Sequence, residues 1–122
     1  MNILIVDDSR IIRNVVKNVL EEMGIGNENI FDAPDGNAAL EIIDSTSIDM
    51  LLVDWNMPNL NGLDLVRILR GRDSYKKTPI IMITSEAARY NIMEAIKAGV
   101  TDYVVKPVAG VVLKKKLSPF LK

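Results

Sequence analysis

The sequence predicts an α/β protein built on a five-stranded parallel sheet with helices on both faces. Short apolar runs alternate along the chain with segments of helical periodicity, and this alternation occurs five times. The runs are apolar at consecutive positions, which is typical of parallel strands that are buried on both faces. Strands joined by helices must run parallel, with right-handed crossovers. The predicted strands are residues 3–6, 50–53, 80–83 and 103–105, with residues 29–31 as a weaker candidate.

The first helix is predicted from apolar stripes of period 3.6 between a cap and a stop signal. Ser9 is a suitable N-cap, and Gly24 is a suitable residue to end the helix. The two adjacent stripes are Ile11, Val15 and Val19, followed by Ile12, Val16, Leu20 and Met23. The polar residues Arg10, Arg13 and Lys17 lie outside both stripes, so we expect them on the solvent side.

The other four helices follow the remaining strands in turn. The second runs from about residue 35 to 44, and the third follows Asn61 and Gly62. The fourth starts after Ser85 and ends at Gly99, and its inward residues are expected to be Ala88, Ile92, Ala95 and Ile96. The last starts near Ala109 and uses Val112, Leu113 and Leu117. Ala109 supplies no oxygen for an N-cap, and Ser118–Pro119 is expected to interrupt this helix near its end.

Composition excludes several classes of function. The 122 residues fit one domain, and the absence of Cys and His excludes zinc fingers and Ser–His–Asp triads. A net charge of −1 gives no electrostatic footprint for nucleic acid. No apolar run approaches the roughly 20 residues of a membrane span, and no signal peptide is visible. We therefore expect one domain over residues 1–122, without an output domain, in the cytoplasm.

Polar residues follow four of the five predicted strands directly. Asp7 and Asp8 follow the first strand, Asp54 the third, Thr84 the fourth and Lys106 the fifth. Ligands of open α/β sheets bind at the carboxyl ends of the strands. Carboxylates crowded at this edge favour a hard divalent cation, and Mg²⁺ suits a site with few protein ligands. With an ammonium and a hydroxyl beside them, these groups predict a site for a phosphoryl group.

These residues resemble the signature of response-regulator receiver domains. The stretch 53–63, with the sequence VDWNMPNLNGL, is similar to the single-domain chemotaxis regulators of that family, and residues 98–107 fit as well. The resemblance covers essentially the whole chain. It implies a flavodoxin-like (βα)5 three-layer sandwich with strand order 2-1-3-4-5, which periodicity alone does not give.

The resemblance also implies roles for the residues at the sheet edge. Asp54 would accept the phosphoryl group, and Lys106 would contact its oxygens. Asp8 and Asp54 would ligate Mg²⁺ directly together with the backbone carbonyl of Asn56, while Asp7 would act through water. The Lys106–Pro107 peptide bond would be cis.

Further implied residues concern switching and output. Thr84 and Tyr103 would form the switch pair, in which the hydroxyl moves to the phosphoryl group and the ring swings inward. Asn56 and Glu86 would tune dephosphorylation. The output surface would comprise the fourth helix, fifth strand and fifth helix, with Arg89, Tyr103 and Lys116 at matching positions.

The leading functional hypothesis is a phosphorylation switch rather than an enzyme, one that promotes its own phosphorylation and dephosphorylation. Its expected partners are a sensor histidine kinase, the flagellar motor switch protein and a phosphatase, and we expect a monomer that neither binds nucleic acid nor inserts into membranes. One alternative is a receiver in a phosphorelay or a phosphate sink. Another is an aspartate-based phosphohydrolase, but such enzymes typically place a second Asp where this chain has Asn56.

Overall fold

A single parallel sheet organises the protein. The computed structural model describes residues 1–85 and 89–121, with residues 89 and 90 described by their backbone alone. Within these residues the strands are β1 Ile3–Val6, β2 Ile30–Ala33, β3 Met50–Asp54, β4 Ile80–Thr84 and β5 Asp102–Val105. All neighbouring pairs are parallel, in the order β2-β1-β3-β4-β5. This confirms the strand order that the resemblance implied.

Helices cover both faces of the sheet. In the described part of the chain they are α1 Arg10–Glu22, α2 Gly36–Ser45, α3 Gly62–Arg70, α4 Arg89–Ala98 and α5 Gly110–Leu117. Short 3₁₀ turns occupy Asn27–Asn29, Asp73–Tyr75 and Ser118–Phe120. None of the helices in the described residues combines the length and hydropathy that a membrane crossing requires.

Alternation along the strands divides the core into two layers. Leu4, Val53 and Met82 belong to the layer that packs against α2, α3 and α4. Ile5, Leu52 and their neighbours belong to the layer that packs against α1 and α5. Since successive side chains of a strand point to opposite faces, one strand supplies both layers. The apolar runs are therefore continuous rather than alternating, as the sequence predicts.

Capping residues set the ends of α1 and α4 where the sequence predicts them. The Ser9 hydroxyl accepts a hydrogen bond from the Ile12 backbone N–H at 3.3 Å. Gly24 and Gly99 have φ of 94° and 111°, the left-handed conformation that ends a helix and that glycine adopts without steric cost. Helical periodicity together with these residues was sufficient to predict the start of α1 and the ends of α1 and α4.

Four apolar residues predicted to face the core are exposed instead. The exposed fractions are 75% for Ile11, 37% for Val15, 55% for Ile96 and 46% for Val112. In α1, the buried residues are Val16, Val19 and Leu20, because α1 contacts the sheet and α5 along one side only. Periodicity identifies an apolar stripe but does not say whether a neighbour covers it. In α4, Ile92 is half-buried and Ala95 buried, whereas Ala88 lies outside the described residues.

The β5 strand is less buried than its apolar sequence predicts. Within the described residues it pairs with β4 alone, so it forms an edge of the sheet. Val104 is buried, but Tyr103 is half-buried and Val105 is 38% exposed. The strand that bears Tyr103 therefore borders solvent at one edge of the sheet.

The start and end of α5 follow the predicted pattern. Ala109 occupies the N-cap position with φ −93° and ψ 124°, close to the φ −88° and ψ 115° of Ser9 at the same position of α1. The alanine methyl group cannot accept a hydrogen bond from the first turn. At the other end, the helix gives way to the 3₁₀ turn that contains Pro119. A backbone suited to a cap is therefore present without the capping oxygen.

We predict that Ala109→Ser stabilises the protein by about 1 kcal/mol, because the backbone already has the N-cap conformation. Urea unfolding followed by far-UV circular dichroism measures the change. Ser9→Ala is the matched control and should destabilise by a similar amount. An unchanged midpoint for Ala109→Ser, alongside a lowered one for Ser9→Ala, would contradict the prediction.

Candidate functional site

Asp7 and Asp54 lie side by side because of the register between β1 and β3. Val6 pairs with Val53, so the residues that follow each of them lie next to each other at the carboxyl edge of the sheet. Both carboxylates are buried, with exposed fractions of 2% for Asp7 and 5% for Asp54. The Asp7 carboxylate also accepts the Ser9 backbone N–H at 2.9 Å, at the start of α1. The parallel topology thus concentrates negative charge at one edge of the sheet.

Lys106 brings a positive charge between these carboxylates. Its Nζ lies 3.0 Å from Oδ2 of Asp7 and 3.4 Å from Oδ2 of Asp54. The Lys106 backbone N–H donates to the carbonyl of Thr84 at 2.8 Å, so β4 fixes the point at which the chain leaves β5. The Lys106–Pro107 peptide bond that follows is cis, as the resemblance implied. The structure therefore unites residues from three strand ends.

Asp8 completes a group of three carboxylates. Oxygen atoms of Asp7, Asp8 and Asp54 all lie within 4.8 Å of one another, and Asp8 is exposed whereas the other two are buried. Carboxylate oxygens in such a group suit Mg²⁺, which prefers oxygen ligands and retains several waters. The exposed position of Asp8 leaves one side of the group open to solvent, so the donor set fits the cation that the sequence predicts.

The local charge balance favours protonation of Asp54. Burial, followed by the negative charges of Asp7 and Asp8, raises the pKa of Asp54 from its ordinary value of 3.8 to about 6, although Lys106 opposes the shift. Burial by itself lowers the pKa of the Lys106 ammonium. The hydrogen bond to Asp7 and the charge of Asp54 outweigh burial and raise that pKa above its usual range. One ammonium thus only partly compensates three carboxylates, which is the condition that a divalent cation relieves.

Strand alternation places Thr84 and Tyr103, the expected switch pair, on the other face of the sheet from the acidic group. By strand alternation, Asp54 lies on the same face of the sheet as Leu52, whose layer packs against α1 and α5. Thr84 lies on the same face as Met82, whose layer packs against α4. Met82 pairs with Tyr103, so Thr84 and Tyr103 share that face of adjacent strands. Thr84 is 2% exposed and ends β4 next to the site. The two residues therefore share a face, and their role as a switch pair stays a prediction.

Lys116 lies against the Tyr103 ring. Its Nζ is 5.5 Å from the ring centroid and 3.1 Å from Oδ1 of Asp102. An ammonium over an aromatic face is attracted to it. Lys116 and Tyr103 therefore lie together on the β5–α5 surface. Two other sequence-predicted residues are not described: Glu86 lies outside the described residues, and so does the side chain of Arg89. Asn56 is exposed, two residues after Asp54.

Arg13 is a residue of the site that the sequence did not predict. Expected on the solvent side, its side chain is only 14% exposed. Its guanidinium donates to the Asp7 backbone carbonyl at 2.6 Å and pairs with Asp32 of β2 at 2.8 Å. Arg13 thus holds the end of β1 from the first turn of α1. The sequence signal that could have indicated this contact is the position of Arg13 in the first turn of the helix that follows Asp7 and Asp8.

Ionisation of Asp54 should make stability depend on pH in metal-free buffer. Between pH 4 and 6 the folded protein holds more protons than the unfolded chain, because the folded pKa of Asp54 is about 6 instead of 3.8. Stability therefore falls as the pH rises through this interval. Asp54→Asn should remove the decline and stabilise the protein by about 2 kcal/mol at pH 7.

Urea unfolding at a series of pH values in the presence of a chelator measures this effect. Asp73→Asn is the control, because the Asp73 side chain is 98% exposed. It should keep the decline of the parent protein. A decline of the same size in Asp54→Asn would refute the prediction.

Comparisons with known proteins agree with this geometry. Residues 3–118 match the response regulator receiver domain family. Chemotaxis protein CheY of Pseudomonas aeruginosa is 45% identical over 117 residues, covering 96% of this chain and 93% of that protein. Chemotaxis protein CheY1 of Helicobacter pylori is 43% identical over 122 residues, covering 99% and 97%. The family match thus includes all five strands and all the acidic residues of the site.

Solved structures show the same fold. Chemotaxis response regulator CheY4 of Vibrio cholerae has a TM-score of 0.89 at 34% identity, and the match covers 98% of both chains. A putative response regulator from Chloroflexus aurantiacus has a TM-score of 0.90 at 28% identity, covering 98% of this chain and 96% of that one. Both comparisons extend over nearly the whole of each chain, so the likeness concerns the complete sheet and its helices.

Proposed function

Because this chain belongs to the response regulator receiver domain family, we propose that it is a phosphorylation switch in which Asp54 accepts a phosphoryl group from a sensor histidine kinase. The observation that carries the proposal is the burial of Asp54 beside two carboxylates and the Lys106 ammonium. Phosphoryl transfer depends mainly on positioning and on neutralising charge, and this group of side chains offers both.

The donor set supports a magnesium site. Asp8 and Asp54 would hold Mg²⁺ directly with the backbone carbonyl of Asn56, and Asp7 would act through water. When bound, the cation supplies positive charge that offsets the carboxylates and the phosphoryl oxygens. The raised pKa of Asp54 supports this need, because the carboxylate must be ionised to act as a nucleophile.

The transfer conserves atoms and charge through a simple exchange of bonds. An Asp54 carboxylate oxygen forms a bond to phosphorus, while the bond between phosphorus and the imidazole nitrogen of the kinase histidine breaks. That nitrogen keeps the electron pair and takes up a proton. Lys106, already within 3.4 Å of Asp54, would contact the phosphoryl oxygens as a point charge.

Phosphorylation would then bias a two-state element on the other face of the sheet. The Thr84 hydroxyl would move to the phosphoryl group, and the Tyr103 ring would swing inward into the space thus freed. The half-buried state of Tyr103 on an edge strand supports this movement. The output surface would comprise α4, β5 and α5, with Arg89, Tyr103 and Lys116, so the change would reach a binding partner there.

We place the protein among switches rather than enzymes. It would promote its own phosphorylation and dephosphorylation, with Asn56 and Glu86 tuning the lifetime of the phosphoryl group. An aspartate-based phosphohydrolase is disfavoured, because Asn56 cannot donate or accept a proton as a second Asp would. A phosphatase partner would also act on the phosphoryl group.

The similarity to chemotaxis proteins favours the flagellar motor switch protein as the partner of the phosphorylated form. We propose that residues 1–122 act as a single monomeric domain in the cytoplasm, without binding nucleic acid or inserting into a membrane. A phosphorelay receiver or phosphate sink is the second candidate. The uncapped start of α5 favours it, because α5 borders the output surface.

We expect a small-molecule phosphodonor to phosphorylate the wild-type protein once in the presence of Mg²⁺. Mass spectrometry detects the added phosphoryl group. Asp54→Asn should remove the modification completely, and Asp8→Ala should slow it by at least about tenfold, since Asp54 loses a co-ligand. Modification of Asp54→Asn to the wild-type extent would refute the assignment.

The two output hypotheses differ in how binding depends on phosphorylation. A chemotaxis role predicts that beryllofluoride treatment, which mimics the phosphorylated state, increases capture of the motor switch protein by at least about tenfold, a coupling of about 1.4 kcal/mol. Asp54→Asn should not respond to the treatment. Exchange of phosphoryl groups with kinase or transferase domains, without such capture, would favour the relay.

A further inference from the structure

We infer that Asp35 and Asn59 are positioning residues of the metal site, because their hydrogen bond holds the β3–α3 loop that carries Asn56. This loop comprises residues 55–61 and begins directly after Asp54. The inference rests on the proposed function, since it takes the Asn56 carbonyl as a ligand of Mg²⁺. It assigns a role in that site to two residues that do not themselves contact the cation.

The tip of the loop contacts the start of α2 through two hydrogen bonds. Nδ2 of Asn59 donates to Oδ2 of Asp35 at 2.9 Å. The Gly36 backbone N–H donates to the Leu60 carbonyl at 3.1 Å. A Cβ atom on Gly36 would lie 2.7 Å from that carbonyl oxygen, so only glycine allows this approach. We call these four residues the tip contact.

The two carboxylate oxygens of Asp35 accept hydrogen bonds from different donors. Oδ1 accepts the Ala38 backbone N–H at 2.8 Å and thereby caps α2, while Oδ2 is left to accept from Asn59. The Ala38 N–H and the Asn59 amide lower the pKa of Asp35, so the carboxylate stays ionised near neutral pH. The cap also fixes the carboxylate on a helix, which provides a firm anchor for the loop.

The backbone of Asn59 has the conformation that the tip contact requires. Its φ is 67°, and it is the only residue other than glycine with a positive φ in the described part of the chain. Asn tolerates this left-handed conformation better than most residues. An amide side chain that both tolerates the turn and donates to Asp35 suits this position on two independent grounds.

The base of the loop is fixed just behind the phosphoacceptor. The Gly62 backbone N–H donates to the Trp55 carbonyl at 2.8 Å, and a Cβ atom on Gly62 would collide with the Asp54 carbonyl. Oδ1 of Asn61 accepts the Asp64 N–H at 2.9 Å and caps α3. These contacts hold one end of the loop rigidly against β3.

Asn56 lies between the fixed base and the tip contact. Its side chain is exposed, as is that of Pro58, whereas Trp55, Met57 and Leu60 of the same loop pack against the core layer beneath α2, α3 and α4. The place of the Asn56 carbonyl relative to Asp54 therefore depends on the fixed base, on this packing and on the tip contact. Loss of the tip contact would loosen the tip of the loop and let the carbonyl move away from the position that a small, geometrically demanding cation needs.

Two variants remove the side-chain bond while sparing other functions of the same residues. Asp35→Ser keeps an oxygen to cap α2 but offers no second acceptor. Asn59→Gly keeps the left-handed backbone but removes the amide. We expect each to weaken Mg²⁺ binding by about tenfold, the lower end for groups that orient metal ligands. Titration of Trp55 fluorescence with Mg²⁺ alone measures the affinity.

The double variant tests whether the two residues act through each other. If they do, Asp35→Ser combined with Asn59→Gly should lose no more affinity than either single variant. Asp44→Ser is the matched control, because it removes the same charge from the other end of α2, where Asp44 pairs with Arg72. It should retain wild-type affinity. Additive losses in the double variant would overturn the inference.

Amide hydrogen exchange supplies a readout that needs no metal. In both single variants the Gly36 N–H should exchange faster, while the Gly62 N–H should exchange at the wild-type rate. An unchanged rate at Gly36, or wild-type Mg²⁺ affinity in both variants, would overturn the role of the tip contact and leave the proposed function intact. Failure of the wild-type protein to bind Mg²⁺ or to be phosphorylated would instead refute the proposed function, and this inference with it.

Discussion

The site depends on how one ammonium is shared between two buried carboxylates. Lys106 lies 3.0 Å from Asp7 and 3.4 Å from Asp54, and both carboxylates are almost fully buried. Burying a charge is costly unless it is paired, so Lys106 is what makes this acidic edge tolerable in the folded protein. The compensation is incomplete, as the raised pKa of Asp54 indicates. The site therefore retains an excess of negative charge that a further cation would offset.

The fold brings these groups together through strand register and helix caps. Parallel pairing aligns the carboxyl ends of β1, β3 and β4, and local contacts hold the loops that follow β1 and β3. Arg13 holds the end of β1, Ser9 donates its N–H to Asp7, and Gly62 packs against the backbone of Asp54. The stability of the core and the geometry of the site therefore have the same physical origin. The charged groups of the site lie where β1, β3 and β5 end, beyond strand segments that are buried and apolar in β1 and β3.

Sequence patterns predicted the features that depend on adjacent residues in the chain. They failed to predict burial and contacts that depend on other elements packed nearby in the fold. Continuous apolar runs and caps such as Ser9 depend on a few adjacent residues, so the strands and helix ends were predictable. Ile11 is exposed because no helix of the described residues covers it, and periodicity does not report which stripes are covered. The same limit applies to β5, because an apolar edge strand has the same sequence character as a central one. Arg13 escaped prediction because its partners, Asp7 and Asp32, lie on two different strands.

Strand alternation places the acidic group and the expected switch pair on opposite faces of one sheet. Asp54 and Lys106 are in step with the layer beneath α1 and α5, whereas Thr84 and Tyr103 are in step with the layer beneath α4. In evolutionary terms, this separation means that residues on one face of the sheet can change without altering the acidic group on the other face. Under the proposed function, substitutions in α4, the part of the output surface on the far face from Asp54, would alter binding while the acidic edge remains as it is. A gene of this kind could thus be duplicated, and one copy could acquire a new binding partner without a change in the residues that would accept the phosphoryl group.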